Sequence, residues 1–458
     1  MTGQAGSTTG EPILDDPGGY DPAAAGDGLA GLAARPLTAL DKGLTGIRPG
    51  AEVTPLELVT AGTTLASPVF GTPFLVLRES ALEHNIAAMA RFCAGAGVLL
   101  APHAKTSMSP EVFTRQLAAG AWGLTAASPA QAAVFARFGA RRVLIANEVT
   151  DPAAVDLLTG LLADPAGLEL CCYVDSAAGV EALEAGVARA GAALARPVPV
   201  LLEWGVPGGR TGVRTRAEAM AVARRAGQSA AVVLIGVSCF EGALSHGAGE
   251  EPLAAVADLC AVVRTLGEEL ASGGFIRHGA DGRPAGGPAL ILSAGGSHYF
   301  DVVARELGRS RVPGTRVVLR SGSYVAHDHG LYQSDTPSRR DPALPAFVAA
   351  IEVHATVLSR PEPGLALLNA GRRDLPFDAG LPVVLAAPGA GSRADERLRV
   401  TGLNDQHAFV SLPPSHPLAA GDRVALGISH PCTAFDKWRH AIIADDHDAV
   451  TGIAHTFF

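Results

Sequence analysis

The stretch VLLAPHAKTSMSPEV, residues 98–112, ends an apolar run in a proline and then sets His103, Lys105 and Thr106 before a helix start. The lysine is the informative residue. Of 36 basic residues only three are lysines: Lys42, Lys105 and Lys437. In a composition so weighted towards arginine, a lysine at the end of an apolar run points to work that arginine cannot do. Arginine stays protonated, so it can neither form an imine nor accept a proton. A partly desolvated amine has a lowered pKa and is a nucleophile able to form a Schiff base. A lysine that merely snorkels at a strand end is the structural alternative. Lys42, in DKGLTG, and Lys437, among the charges of FDKWR, end no such run.

Three further patterns carry chemistry. SAGGS (293–297) precedes a helix-like segment, so the bare N–H groups of Gly295 and Gly296 and the Ser297 hydroxyl can cradle a phosphate. GGRTGV (208–213) offers Arg210, with Thr211 and Gly212, as cation and donors. In both, glycine that only turns the chain is the plain alternative. SHPC places His430 and Cys432 two residues apart, on one face if the segment is a strand. Imidazole and thiolate suit Zn²⁺, against a buried cysteine beside a surface histidine. His327 and His329, in HDHG, share that spacing and are the rival metal pair, with His407 in NDQHAFV as a further polar neighbour.

These residues need a frame. Eight β-type runs alternate with Ala-rich helical stretches: 72–77, 98–104, 123–128, 142–147, 168–175, 198–205, 232–240 and 289–296. They are continuously apolar, as in a parallel sheet buried on both faces. Eight β-α units in about 240 residues predict an α/β fold, a (β/α)8 TIM barrel, with an open doubly wound sheet as competitor. Lys105 then ends the second strand, GGRTGV follows the sixth and SAGGS closes the eighth, all at the end of a barrel where active sites lie. After residue 313 short strands are punctuated by Pro and Gly, which predicts a C-terminal β-rich domain. The expected organisation is a flexible tail (1–35), a segment packing on the β-domain (36–71), the barrel (72–313) and a β-domain with the metal site (314–458).

The 458-residue chain, 48% hydrophobic and 18% charged, can bury a large core. A net charge of −9 offers no footprint for nucleic acid or an anionic membrane. No apolar run approaches the roughly 18 residues of a membrane span. The first 35 residues are small, acidic and Gly-rich, and read as a tail rather than a secretion signal. Six scattered cysteines (Cys93, Cys171, Cys172, Cys239, Cys260, Cys432) suggest thiols in a reducing cytoplasm.

In order, TPFLVL, PHAKT, GGRTGV, CFEG, SAGGS, SGSYVAHD and HPC resemble the fold-type III pyridoxal-phosphate enzymes of the D-serine dehydratase and D-threonine aldolase group, over about residues 66 to 440. The resemblance implies an alanine-racemase-like barrel with a β-domain. It implies that Lys105 holds the cofactor through its amine, with His103 beside it, and that Arg210, Thr211, Gly212, Gly295, Gly296 and Ser297 grip ring and phosphate. It implies that His430 and Cys432 bind a divalent metal, zinc before manganese. Tyr324, in SGSYVAHD, and His407 are the substrate-pocket candidates. The aldolase branch usually has aspartate where this chain has Cys432, so the resemblance favours dehydration of a D-serine-like 3-hydroxy-D-amino acid over retro-aldol cleavage. KTSMSPE after the cofactor lysine departs from the common KTHK and matches a bacterial group called amino-acid deaminases. A cytoplasmic homodimer is implied, and a metal-poor barrel that only holds pyridoxal phosphate for homeostasis is the reading from another class.

Overall fold

A computed structural model describes all residues except 1–18, 164–167, 192–193, 195, 245–246, 248, 277–289 and 388–395. The apolar runs become strands of two sheets. Strand β1 (Phe74–Arg78) belongs to the second. Eight parallel strands build the first: β2 (Leu99–Leu100), β3 (Leu124–Ala126), β4 (Arg142–Glu148), β5 (Glu169–Val174), β6 (Val198–Trp204), β7 (Val232–Cys239), β8 (Leu290–Ala294) and β9 (Thr315–Leu319). Their order is β2-β9-β8-β7-β6-β5-β4-β3. The two outer strands approach where β2 ends. Trp122 N–H donates to the Leu100 carbonyl (2.8 Å) and Thr125 N–H to that of Pro102 (2.9 Å), and His103 bridges Thr125 in parallel register. The sheet is a nearly closed barrel.

Alternation along each strand sends every second side chain inward. Leu99, Ala101, Leu144, Cys171, Tyr173, Leu201, Ile235, Ile291 and Val318 fill the interior as one buried cluster, a packed core rather than a pore. Helices cover the outside. The one after the lysine turn, Pro110–Ala118, buries Phe113 edge-on against Phe135 at 5.2 Å.

One expectation about strand membership is overturned. The run 72–77 is not the first barrel strand, and the eighth is β9, which lies beyond the boundary expected at 313. The count of eight survives because one run leaves and another enters. Both are short continuous apolar runs, and nothing in their periodicity says which sheet they join. Pairing decides: β1 runs antiparallel to the later strand Ile351–Glu362 and parallel to His440–Ala444.

The second sheet adds β10 (Ile351–Glu362), β11 (Leu365–Leu368), β12 (Val383–Ala386), β13 (Arg399–Leu403), β14 (Ala408–Ser411), β15 (Arg423–Gly427), β16 (His440–Ala444) and β17 (Val450–His455). Its order is β11-β14-β13-β12-β15-β10-β1-β16-β17, and β11 also pairs with β10, closing β10–β15 into a ring. From the segment 36–71, Leu37, Leu44, Ile47, Leu58, Leu65 and Phe70 pack with Phe74, Val76, Ile442 and Ile453 of this sheet. The expected tail differs where it is described. Pro22–Ala33 is a helix whose cap, Asp21, accepts from the Ala23 and Ala24 N–H groups, both at 3.0 Å. Asp–Pro at the cap and first helical position is the signal that Ala/Gly-rich composition obscured. Residues 1–18 lie outside the described chain.

A buried histidine pair joins the sheet to the helix beyond the lysine turn. His455 Nδ1 meets Glu111 Oε1 at 2.7 Å, and its ring stands edge-on to His440 at 5.1 Å. Burial holds His440 down to about 4, His455, Arg35 and Arg439 adding to this and Asp41 opposing it. Burial also holds His327 at about 4, with His329 and His298 adding and Gln333 opposing. The fold therefore keeps both rings neutral, while an unfolded histidine titrates near 6.5. That contribution is complete above about pH 6.5 and is lost as the pH falls towards 4. The thermal midpoint should drop between pH 7 and pH 5, and His440→Phe should shrink the drop. An unchanged drop in that variant would assign the acid sensitivity elsewhere.

Candidate active site

Lys105 sits in a single 3₁₀ turn, Ala104–Thr106, where the chain leaves β2. Burial holds its amine below the usual lysine range, the Arg210 and Arg320 guanidinium groups adding to this and Cys432 opposing it. Among the described residues no hydrogen-bond or ion-pair partner holds that amine. The other two lysines are occupied. Lys42 pairs with Asp374 at 2.7 Å and lies 3.6 Å over the Trp438 ring; Lys437 faces Asp436 at 3.7 Å.

His103 is held beside it, with Nδ1 3.1 Å from the Thr125 carbonyl. Burial holds this ring well below its usual pKa, and the nearby Lys105 and Arg320 charges push the same way. The ring is therefore neutral. A carbonyl only accepts, so Nδ1 carries the proton and Nε2 the lone pair.

On the neighbouring strand, Arg320 follows the end of β9. Its Nη1 donates to Ser238 Oγ (3.0 Å) and Ser293 Oγ (2.6 Å), and Nη2 to the Cys239 carbonyl (2.6 Å). Arg320 is not among the residues expected from the sequence, although an arginine ending the apolar run TRVVLR is the same type of signal that Lys105 gives. Gly295 lies against it at φ 144°, and a Cβ there would stand 2.7 Å from Arg320 N. The Gly295 N–H donates to Glu241 Oε2 at 3.0 Å and the Gly296 N–H to Glu241 Oε1. Ser297 Oγ is buried and has no hydrogen-bond partner among the described residues. Arg210 is exposed, with its guanidinium 4.2 Å over the Phe240 ring. Gly212 N–H donates to Asp175 Oδ2 at 3.0 Å. Thr211 is exposed, and its carbonyl accepts from Arg214.

Another part of the rim is acidic, and its residues are not among those expected from the sequence. Glu148 ends β4, Asp175 follows β5 and Glu203 lies near the end of β6. Burial first, then the Glu203 and Asp175 charges, push the Glu148 carboxyl up to about 8. The Glu148 and Glu203 carboxyls are buried and face each other, and no cation pairs with Glu148 among the described residues.

The second domain completes the site. Cys432 opens the short helix Cys432–Phe435, with Pro431 at φ −63°, ψ −39°. His430 and Cys432 therefore converge through a helical turn, not along a strand as their spacing suggested. His430 Nδ1 lies 2.6 Å from Asp378 Oδ2, and Thr433 Oγ1 donates to Asp378 Oδ1 at 2.7 Å. Burial alone would lower the His430 pKa, but Cys432 and Asp378 bring it up to about 9. Burial likewise opposes ionisation of Cys432, yet His430, Ser323 and Thr106 hold the thiol below its usual value. Cys432 Sγ reaches Ser323 Oγ at 3.4 Å and Thr106 Oγ1 at 3.5 Å. Thr106 follows Lys105, so the sulfur and the amine meet at one place. A neighbouring imidazole and thiolate, the imidazole oriented by a carboxylate, form a donor set that suits zinc. Among the described residues no group of three or more His, Cys, Asp or Glu forms a metal cage.

Three candidates lie elsewhere. His327 Nε2 is engaged by Gln333 Oε1 at 3.1 Å and His329 packs against Gly427, so the two rings have separate neighbours. His407 is exposed in the turn between β13 and β14. Tyr324 is fully buried in the core, its hydroxyl accepting from Gln116 Nε2 at 2.8 Å. The tyrosine near His430 and Cys432 is Tyr332, whose hydroxyl accepts from Ser323 Oγ (3.1 Å) and whose ring stacks on His298 (4.5 Å) and lies 6.4 Å from that of His430.

Of the six free cysteines only Cys432 is not buried. Iodoacetamide on chelator-treated native protein should label Cys432 alone, slower in His430→Ala and not at all in Cys432→Ala. Peptide mass mapping reads this, and equal labelling of a second cysteine would contradict the packing.

Comparison with known proteins gives the same frame. The family profile "Alanine racemase, N-terminal domain" matches residues 77–278 and "Putative serine dehydratase domain" matches residues 350–444. D-threonine aldolase of Arthrobacter sp. is 31% identical over 347 residues, 75% of this chain and 80% of that one. D-threo-3-hydroxyaspartate dehydratase of Delftia sp. (strain HT23) is 28% identical over 355 residues, 74% of this chain and 83% of that one. The crystal structure of D-threonine aldolase from Filomicrobium marinum superposes with a TM-score of 0.70 at 24% identity, covering 84% of this chain and 95% of that one. The chain belongs to the family of D-threonine aldolases and D-3-hydroxyaspartate dehydratases, pyridoxal-phosphate-dependent lyases of D-amino acids built on the alanine-racemase-like barrel.

Proposed function

We propose that this lyase dehydrates and deaminates a 3-hydroxy-D-amino acid of the D-serine type, giving a 2-oxo acid and ammonia. The observation that carries the reading is the contact between Cys432 Sγ and Thr106, which sets a His–Cys metal pair beside Lys105. The local chemistry fits both groups. Among the described residues Lys105 offers an amine and Ser297 a buried hydroxyl without hydrogen-bond partners, and Arg210 and Arg320 supply positive charge.

Pyridoxal phosphate, when bound, supplies an electron sink for the pair released at Cα. A divalent metal, zinc from its N and S donors, supplies Lewis acidity towards a β-hydroxyl. The chain's own residues do the rest. Lys105 anchors the cofactor, and once its amine is released Nζ takes the α-proton. Its lowered pKa keeps that nitrogen free to accept. His103, tied to the Thr125 carbonyl, keeps its Nε2 lone pair towards the site. His430 and Cys432 hold the metal, with Asp378 orienting the imidazole. The β-hydroxyl then leaves as water, and hydrolysis of the dehydrated product releases ammonia.

Cys432 is the basis for preferring the C–O bond. Structures of D-threo-3-hydroxyaspartate dehydratase include a histidine-to-alanine variant and, two positions on, a cysteine-to-alanine variant in the metal-free form. The 31% identity to D-threonine aldolase favours a second reading. There the base takes the β-hydroxyl proton, and Cα–Cβ cleavage gives glycine and an aldehyde. A protein that only stores pyridoxal phosphate needs neither the second domain nor the His430–Cys432 pair.

Incubation with D-serine and D-threonine separates the readings. The expected products are 2-oxo acids and ammonia; glycine and acetaldehyde from D-threonine would assign the aldolase reaction. Lys105→Ala should lower turnover on the order of 10³-fold or more and abolish borohydride trapping of pyridoxal phosphate. Trapping that persists in this variant would remove Lys105 from the reading.

A further inference from the structure

The phosphate cradle expected at SAGGS already holds an anion, and it comes from the chain itself. Glu241 lies in the 3₁₀ turn Glu241–Ala243 just beyond β7 and is completely buried. Its two carboxylate oxygens accept the N–H groups of Gly295 and Gly296, one each. No lysine, arginine or histidine pairs with this carboxylate among the described residues. The fit is close: a Cβ on Gly296 would stand 3.2 Å from Glu241 Oε1. Beside it, Ser297 Oγ is buried without a partner among the described residues, and the helix Phe300–Leu307 begins shortly after.

A buried carboxylate with no counter-ion persists only where N–H donors replace its water. A phosphate asks for the same donors with more charge, and the two anions at one pair of amides repel each other. We propose that Glu241 is a resident anion of the cofactor's phosphate cradle, which keeps the Gly295–Gly296 amides aligned in the cofactor-free chain and must release them before a phosphate can seat. This inference rests on the pyridoxal-phosphate reading above and adds to it a residue that sets cofactor affinity. Glu241 acts through the glycine amides, and so is a positioning residue.

The test is equilibrium binding to cofactor-stripped protein, read by absorbance and fluorescence rather than turnover. Glu241→Gln keeps the shape and removes the charge. It should lower the Kd for pyridoxal phosphate on the order of tenfold and let inorganic phosphate compete at correspondingly lower concentration. A Kd that is unchanged or raised would make Glu241 a builder of the cradle and overturn the proposal. Wild-type protein supplies a second measurement that needs no variant. The Gly295 and Gly296 amides should exchange hydrogen slowly in the cofactor-stripped chain, and fast exchange would overturn the proposal even if Glu241→Gln fails to fold. The inorganic-phosphate arm does not involve Lys105. Failure of borohydride trapping at Lys105 is therefore distinguishable from failure of the cradle.

Discussion

Closure of the parallel sheet between the ends of β2 and β3 is the constraint on which the rest of the site depends. Parallel strands wound into a barrel bring all their C-terminal ends to one rim. The seam is made by backbone bonds from Trp122 and Thr125 to the chain leaving β2, and by the His103 ring on the Thr125 carbonyl. The same few residues that close the barrel therefore hold His103 in a single tautomer and aim the lysine turn. Lys105 is partly desolvated because it stands where the barrel core ends, and Arg320 shares that rim because β9 is the neighbour of β2.

The rim is electrically divided. Arg320, Arg210 and Lys105 make one side cationic, while Glu148, Asp175 and Glu203 crowd carboxylates on the other. Burial disfavours the charged form of each group, and like charges beside it add to the effect, which is why the amine is held down and the Glu148 carboxyl pushed up. Arg320 is anchored to serine hydroxyls and a carbonyl, so its charge is available to the rim. Glu241 extends this pattern. Its carboxylate needs no cation because two glycine amides take the place of one.

The second domain is more than a cover. Its turn at Pro431 delivers Cys432 to Thr106, and Asp378 holds His430 from behind. Farther out, Glu111 receives His455 on the helix that follows the lysine turn. The lysine segment is thus gripped on both sides by residues more than 300 positions later in the chain. These contacts fix the spacing between Lys105 on one domain and the His430–Cys432 pair on the other.

The sequence by itself determined the residue types and their order: a rare lysine ending an apolar run, glycine-rich strand ends, a late His-x-Cys, and eight β-α repeats. Those signals are local, and they were legible because strand ends and glycines leave local marks. Arg320 was legible in the same way and was missed because arginine is so common here. Tertiary structure decided the rest. It moved β1 into the second sheet and β9 into the barrel, since register is a matter of which strands pair and not of composition. It placed Tyr324 in the core and Tyr332 near His430, folded part of the expected tail into a helix, and seated Glu241 on the Gly295 and Gly296 amides. None of these follows from spacing along the chain, because each depends on surfaces brought together from distant segments.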